Sequence, residues 1–133
     1  MAETIRVRTT SREEMLDITD LARELVRRSR TTEGVLHLWS MHTTCALTVN
    51  EGFDPDVATD VVAFMRRLVP QDAGFDHAEG NSDSHLKTAL FGPGLTLIID
   101  DGELVLGRWQ RLFLCEWDGP RQRTVNAVVQ RSP

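Results

Sequence analysis

A chain of 133 residues is long enough to bury one hydrophobic core and short for two, and its 41% hydrophobic and 26% charged content is that of an ordinary folded domain. Twenty acidic against fifteen basic residues leave a formal charge of −5, which disfavours a nucleic-acid partner, because phosphate recognition needs a continuous basic surface. The longest apolar runs, such as Leu95 to Ile99, fall far short of a membrane span, and Glu3 stands where a signal peptide would be apolar, so no membrane partner and a cytoplasmic location are expected.

In chain order, Glu3 to Thr9 alternates as a strand does, with Ile5 and Val7 on one face, and a further extended stretch precedes Asp17. Ile18, Leu21, Ala22 and Leu25 then recur at helical spacing, with Asp17 or Thr19 available to cap the exposed first amides and an end expected near Arg30. Val35 to Met41 and Thr44 to Asn50 read as two strands, and the tight link between them predicts either neighbouring positions or a corner. Asp54-Pro55 supplies a cap and a first-turn proline for a second helix, ended by Pro70, with Val57, Val61, Phe64, Met65 and Leu68 expected on its buried face.

Residues 71–82 lack periodicity and form the longest polar loop, the kind of segment that often carries function in a small domain. Ser82 is expected to cap a short third helix through His85 and Leu90 toward Gly92. The rest reads as β: Leu95 to Ile99, a turn at Asp100-Asp101-Gly102, Leu104 to Leu106, Leu112 to Trp117, and Thr124 to Val129. No internal repeat interrupts this order, and a single domain over residues 1–133 is expected. Cys45 and Cys115 are far apart, lie in apolar strand-like settings and are expected in the core.

Strand alternation separates two of the four histidines. His37 shares a face with Val35, Trp39 and Met41, whereas His42 continues the face of Leu36, Leu38 and Ser40 at a strand end, a place where a sheet can hold a side chain toward a pocket. His37 is therefore expected at the surface or an interface. The segment from His77, Glu79 and Asn81 to His85 and Lys87 packs two imidazoles, a carboxylate, an amide and an amine into eleven residues.

Three readings of this group stay open at the level of sequence. His42, His77 and His85 would suit a divalent ion such as zinc or magnesium, as three ligands with one open position. Without metal, the same residues would form an acid–base and oxyanion-binding pocket, with Lys87 or an arginine on a phosphate. As structural residues, they would cap the loop and helix or be satisfied in the core. Asn50 and Glu51, beside the Asp54 cap, and the Gly107-Arg108-Trp109-Gln110 turn form further polar clusters.

His42-Thr43-Thr44-Cys45-Ala46-Leu47-Thr48-Val49-Asn50-Glu51, Asp54-Pro55-Asp56-Val57 with Asp60, His77-Ala78-Glu79-Gly80-Asn81 with His85-Leu86-Lys87, and Leu106-Gly107-Arg108-Trp109-Gln110 occur in order, and here the chain resembles the YjbQ-like family, also called secondary thiamine-phosphate synthase enzymes, from about Arg6 to Val129. The resemblance implies an α+β domain containing a β-sandwich, assembly as a homotrimer, and a histidine-rich pocket for a small-molecule metabolite. It also implies the weak thiamine-phosphate synthase activity reported for some members. With the residue chemistry above, the expected site has His42, Asn50, Glu79 and His85 as catalytic residues, Thr43, Asn81, Lys87 and Gln110 as substrate contacts, joined by Arg121 and Arg123 as positive charge from another strand, and His42, His77 and His85 as metal ligands. Arg108 stands where the family usually has threonine and Gly94 where it has serine, and the customary proline is missing from Leu95 to Ile99.

Overall fold

The computed structural model describes residues 2–133. Its strands form two antiparallel sheets. Strands β1 (Glu3–Arg8), β3 (Gly34–Ser40), β5 (Gly94–Asp100), β6 (Glu103–Leu104) and β8 (Gln122–Arg131) form one sheet in the order β1-β8-β3-β5-β6, and β2 (Glu14–Asp17), β7 (Gln110–Glu116) and β4 (Cys45–Glu51) form a second in the order β2-β7-β4. Three helices complete the α+β fold: α1 (Thr19–Ser29), α2 (Pro55–Leu68) and α3 (Ser82–Phe91).

Alternation along the strands divides the interior in two. On β7, Leu112 and Leu114 face the larger sheet and meet Leu36, Leu38, Leu97 and Val125, with Ile18, Ala22, Leu25 and Val26 closing this core around α1. Phe113 and Cys115, one residue out of phase, face the other way with Ala46 and Trp117 and pack against Met65 of α2 and Phe91 at the end of α3. Each fully buried leucine or phenylalanine contributes on the order of 1.5–3 kcal/mol. The smaller sheet is thus apolar on both faces, which explains the near-continuous hydrophobic run of β7.

The helix boundaries follow local chemistry. Asp17 Oδ1 accepts from the Thr19 N–H (2.9 Å) and hydroxyl (2.6 Å) at the start of α1, and Arg30 ends the helix in the left-handed region at φ 55°. Asp54 caps α2 by accepting from the Asp56 N–H at 3.0 Å. Ser82 is the first residue of α3 rather than its cap, a position taken by Asn81, whose side chain makes no capping bond. The expected apolar face of α2 is rotated. Val61, Val62, Met65 and Val69 pack inward, whereas Phe64 and Leu68 are exposed, because the sheet beneath meets the stripe that begins one step further round the helix.

Neighbouring pairing of β3 and β4 is not found; the link is a corner, and the two strands belong to different sheets. Ser40 fastens it: its N–H donates to Pro93 O (2.7 Å), and its hydroxyl donates to Cys45 O (2.9 Å) and accepts from His42 N–H (3.3 Å). Residues 41–44 consequently cross between layers at one end of the sandwich, opposite α3. Both cysteines are buried as expected, and burial pushes the Cys45 thiol up to about 12 and raises Cys115 further. Among the described residues no helix is long and apolar enough to cross a membrane.

Candidate functional site

The corner gives His42 an unusual partner. The β3–β8 register, Leu38 opposite Ala127 and Ser40 opposite Val125, would next pair Met41 with Thr124. Half of that pair forms, because the Met41 N–H donates to Thr124 O at 3.1 Å. The return bond does not go to Met41; the Thr124 N–H donates instead to His42 Nε2 at 2.8 Å. An imidazole nitrogen occupies the place of a main-chain carbonyl, completing the ladder after β3 has left the sheet.

A backbone amide can only donate, so Nε2 carries a lone pair and the proton of the neutral ring sits on Nδ1. Burial and the positive charges of Arg123 and Arg121 lower the His42 pKa below its ordinary value, against the opposing pull of Glu116. His42 is therefore a neutral imidazole that offers an N–H.

Around it lies a polar cavity of about 310 Å3, whose lining includes Thr43, Glu79, Asn81, His85, Asp118 and Arg121. Asn81 donates from Nδ2 to Asp118 Oδ2 (2.7 Å), which fixes the amide orientation, while its buried Oδ1 has no partner. Arg121 is held by Asp118, donating from Nε to the main-chain oxygen (2.8 Å) and from Nη2 to Oδ2 (3.2 Å), and is half exposed. Beneath the wall, Arg123 pairs with Glu116 through Nε (2.8 Å) and Nη2, and Nη2 also donates to the Thr44 hydroxyl (2.9 Å). Burial alone would raise the Glu116 carboxyl, but Arg123, the Thr9 hydroxyl and the Asp118 N–H hold it below the usual range.

A second cavity, about 480 Å3, shares Met41, His42, Thr43 and His85 with the first and is otherwise walled by Trp39, Ser40, Thr88, Ala89 and Pro93. His85, Thr88 and Ala89 reach it together because positions three and four apart on a helix lie on one face. The two histidines thus stand on a wall common to a polar and an apolar space.

The residues expected from sequence divide accordingly. His42, Thr43, Glu79, Asn81, His85, Arg121 and Arg123 surround the polar cavity, although Arg123 is spent on Glu116. His77 lies in an adjoining depression with Gln71 and Phe75, its ring edge-on to His85 with centroids 5.4 Å apart and Nε2 at 3.8 Å from Glu79. Lys87 is not a substrate contact. Two residues beyond His85 on α3, it turns inward, is 1% exposed, and binds Asp83 and Glu13 at 2.7 Å each. Asn50 and Gln110 sit at the far end of the small sheet, Asn50 about 17 Å along β4 from Cys45 at 3.3 Å per residue, and are occupied by the Glu51 and Gly107 amides. His37 lies on the outer sheet face between Thr96 (3.1 Å) and Gln130 (3.2 Å).

A three-histidine metal centre does not fit this geometry. Among the described residues no three His, Cys, Asp or Glu side chains converge on a point. Coordination through His42 Nε2 would break its bond to Thr124, and coordination through Nδ1 would displace the proton that this bond places there. Sequence reasoning missed Asp118 and the apolar cavity. The Asp118-Gly119-Pro120-Arg121 turn signal at a strand end and the outward phase of Trp39 and Met41 were the available hints.

Comparison with known proteins agrees with the motif order. The family model of the UPF0047 protein YjbQ-like group matches residues 3–132. The UPF0047 protein of Methanocaldococcus jannaschii is 42% identical over 118 residues, covering 89% of this chain and 86% of its own, and YugU of Bacillus subtilis is 38% identical over 125 residues, covering 93% and 95%. A crystal structure of an uncharacterised YjbQ/UPF0047 protein from Clostridium acetobutylicum superposes with a TM-score of 0.94 at 34% identity, covering 96% of this chain and 99% of that one. The fold, the ordered motifs and these relatives agree: the chain belongs to the YjbQ-like (UPF0047) family.

Proposed function

We propose that this protein is a cytoplasmic enzyme acting on a small phosphorylated or heterocyclic metabolite, with thiamine-phosphate synthase as a weak side activity. The reading rests on one observation above others: two imidazoles from separate elements, the β3–β4 corner and α3, share the wall of a polar cavity. His42 presents a fixed neutral N–H toward developing negative charge, an arrangement in which an uncharged imidazole acts as an electrophile. Arg121 adds a cation on the same side. His85 is placed to carry a proton, with the Glu79 carboxylate lining the same space.

In the thiamine-type transfer, a pyrimidine diphosphate joins a thiazole phosphate and pyrophosphate departs. His42 and Arg121 would receive the charge of the leaving group, and His85 would protonate the departing pyrophosphate oxygen. The test is turnover by the purified protein, followed as thiamine phosphate and as released phosphate or pyrophosphate, compared with His85→Ala. Loss of proton transfer predicts a fall of about 10²–10⁴-fold; equal rates in the two proteins would remove His85 from the mechanism. Ligand binding without turnover across a panel of phosphorylated metabolites would make the pocket a non-catalytic anion-binding module.

A further inference from the structure

Acid–base and oxyanion groups occupy only one side of the His42–His85 wall. The larger cavity on the other side is bounded by apolar side chains, Trp39, Met41, Ala89 and Pro93, and its volume is that of a small-molecule site. Its floor is the Trp39 ring, which lies across Gly94, where an added Cβ would come within 2.9 Å of Cε3. Gly94, having no Cβ, leaves room for the tryptophan in this position.

Besides the shared His42, Thr43 and His85, two polar residues line it: Ser40, whose hydroxyl is used at the corner, and Thr88. Thr88 is 7% exposed, and its hydroxyl has no hydrogen-bond partner, although a helical threonine commonly returns that bond to the carbonyl one turn back. A hydroxyl both donates and accepts, so it would match a ring nitrogen or a ring substituent. Across the wall, the His42 Nδ1–H and Arg121 remain for an oxyanion, and Asn81 Oδ1 for a donor.

We infer that the Trp39–Pro93 cavity is a ring subsite, taking the flat heteroaromatic end of a ligand whose oxyanion lies in the polar cavity, with Thr88 selecting for a hydrogen-bonding atom on the ring. This rests on the oxyanion role given to His42 and Arg121 above and extends it by joining ring and anion in one molecule. Ala89 becomes the residue that sets the depth of the subsite, since it lines the cavity from the exposed side of α3.

Calorimetric titration of the full chain with methyl phosphate, benzyl phosphate and the pyridylmethyl phosphate isomers tests the assignment. Benzyl phosphate should bind about tenfold or more tightly than methyl phosphate, from the apolar area removed from water. Ala89→Trp, at an exposed position that needs no core rearrangement, should abolish that gain and leave methyl phosphate unchanged. Thr88→Val should weaken at least one pyridylmethyl isomer and leave benzyl phosphate alone. Equal affinity for the methyl and benzyl esters, or a gain that survives Ala89→Trp, overturns the subsite while leaving the oxyanion pocket standing; failure of every phosphate to bind removes both. A change in sedimentation caused by Ala89→Trp, without any change in ring affinity, would assign the cavity to a second copy of the chain and overturn the proposal.

Discussion

A single residue, His42, shows how a sheet can set the chemistry of a side chain. Its folded-state pKa is lowered by burial and by Arg123 and Arg121, with Glu116 opposing. The unfolded chain therefore binds a proton first as pH falls. The stability that His42 contributes is complete above its unfolded pKa of about 6.5 and is lost as pH drops from there toward the folded value. His42→Gln, which retains an acceptor for the Thr124 amide but has nothing to titrate, should flatten the denaturant stability profile as pH falls below about 6.5. His42→Leu should cost about 1–3 kcal/mol at pH 8 by orphaning that amide. The lowered carboxyls of Glu13, Asp17, Asp83 and Glu116 act in a separate window, because their contribution is present above the unfolded carboxylate pKa of about 4 and disappears below it. A strand-end histidine beside a polar pocket was legible in the alternation of residues 35–42. Its tautomer was not, since the amide that sets it comes 82 residues later.

Elements differ in how much of their environment local sequence carries. The caps of α1 and α2 were readable because Asp17 and Asp54 act within two residues of themselves. The buried face of α2 was misread at Phe64 and Leu68, where an apolar stripe could be drawn at two phases and only the sheet beneath selects one. On α3, the helical step separates His85, Thr88 and Ala89 from Lys87, and the choice of which side faces the interior belongs to Glu13 on the chain before β2. Strand β8 carries the costliest commitment, Arg123, buried against Glu116 of β7. Arg123→Met should destabilise by about 3–5 kcal/mol in chemical denaturation, because it strands a buried carboxylate, and adding Glu116→Leu should restore most of that loss. A single-variant cost no larger than that of a surface pair would show that the ion pair is already solvated.

For the whole molecule, the outer face of the five-stranded sheet exposes Ile98 and Val128, with Ile98 opposite Val35 and Val128 opposite His37 in the register. We propose that this face serves the homotrimer implied by the resemblance. Sedimentation equilibrium should give three times the 15.0 kDa chain mass, and Ile98→Asp should shift the distribution to smaller species; a monomer at micromolar concentration would refute it. The order of elements and the α+β class were visible in the sequence, whereas the division of strands between sheets was not, because so short a link as that around His42 and Thr43 permits a hairpin or a corner equally well.

That corner has an experimental use. The proton that Thr124 lends to the imidazole sits at the rim of the candidate site but reports through the main chain, so its exchange with deuterated solvent would register events at the ring without any added label. Occupancy that tightens the crossing would slow this one signal ahead of its strand neighbours, and protonation of the ring would release it.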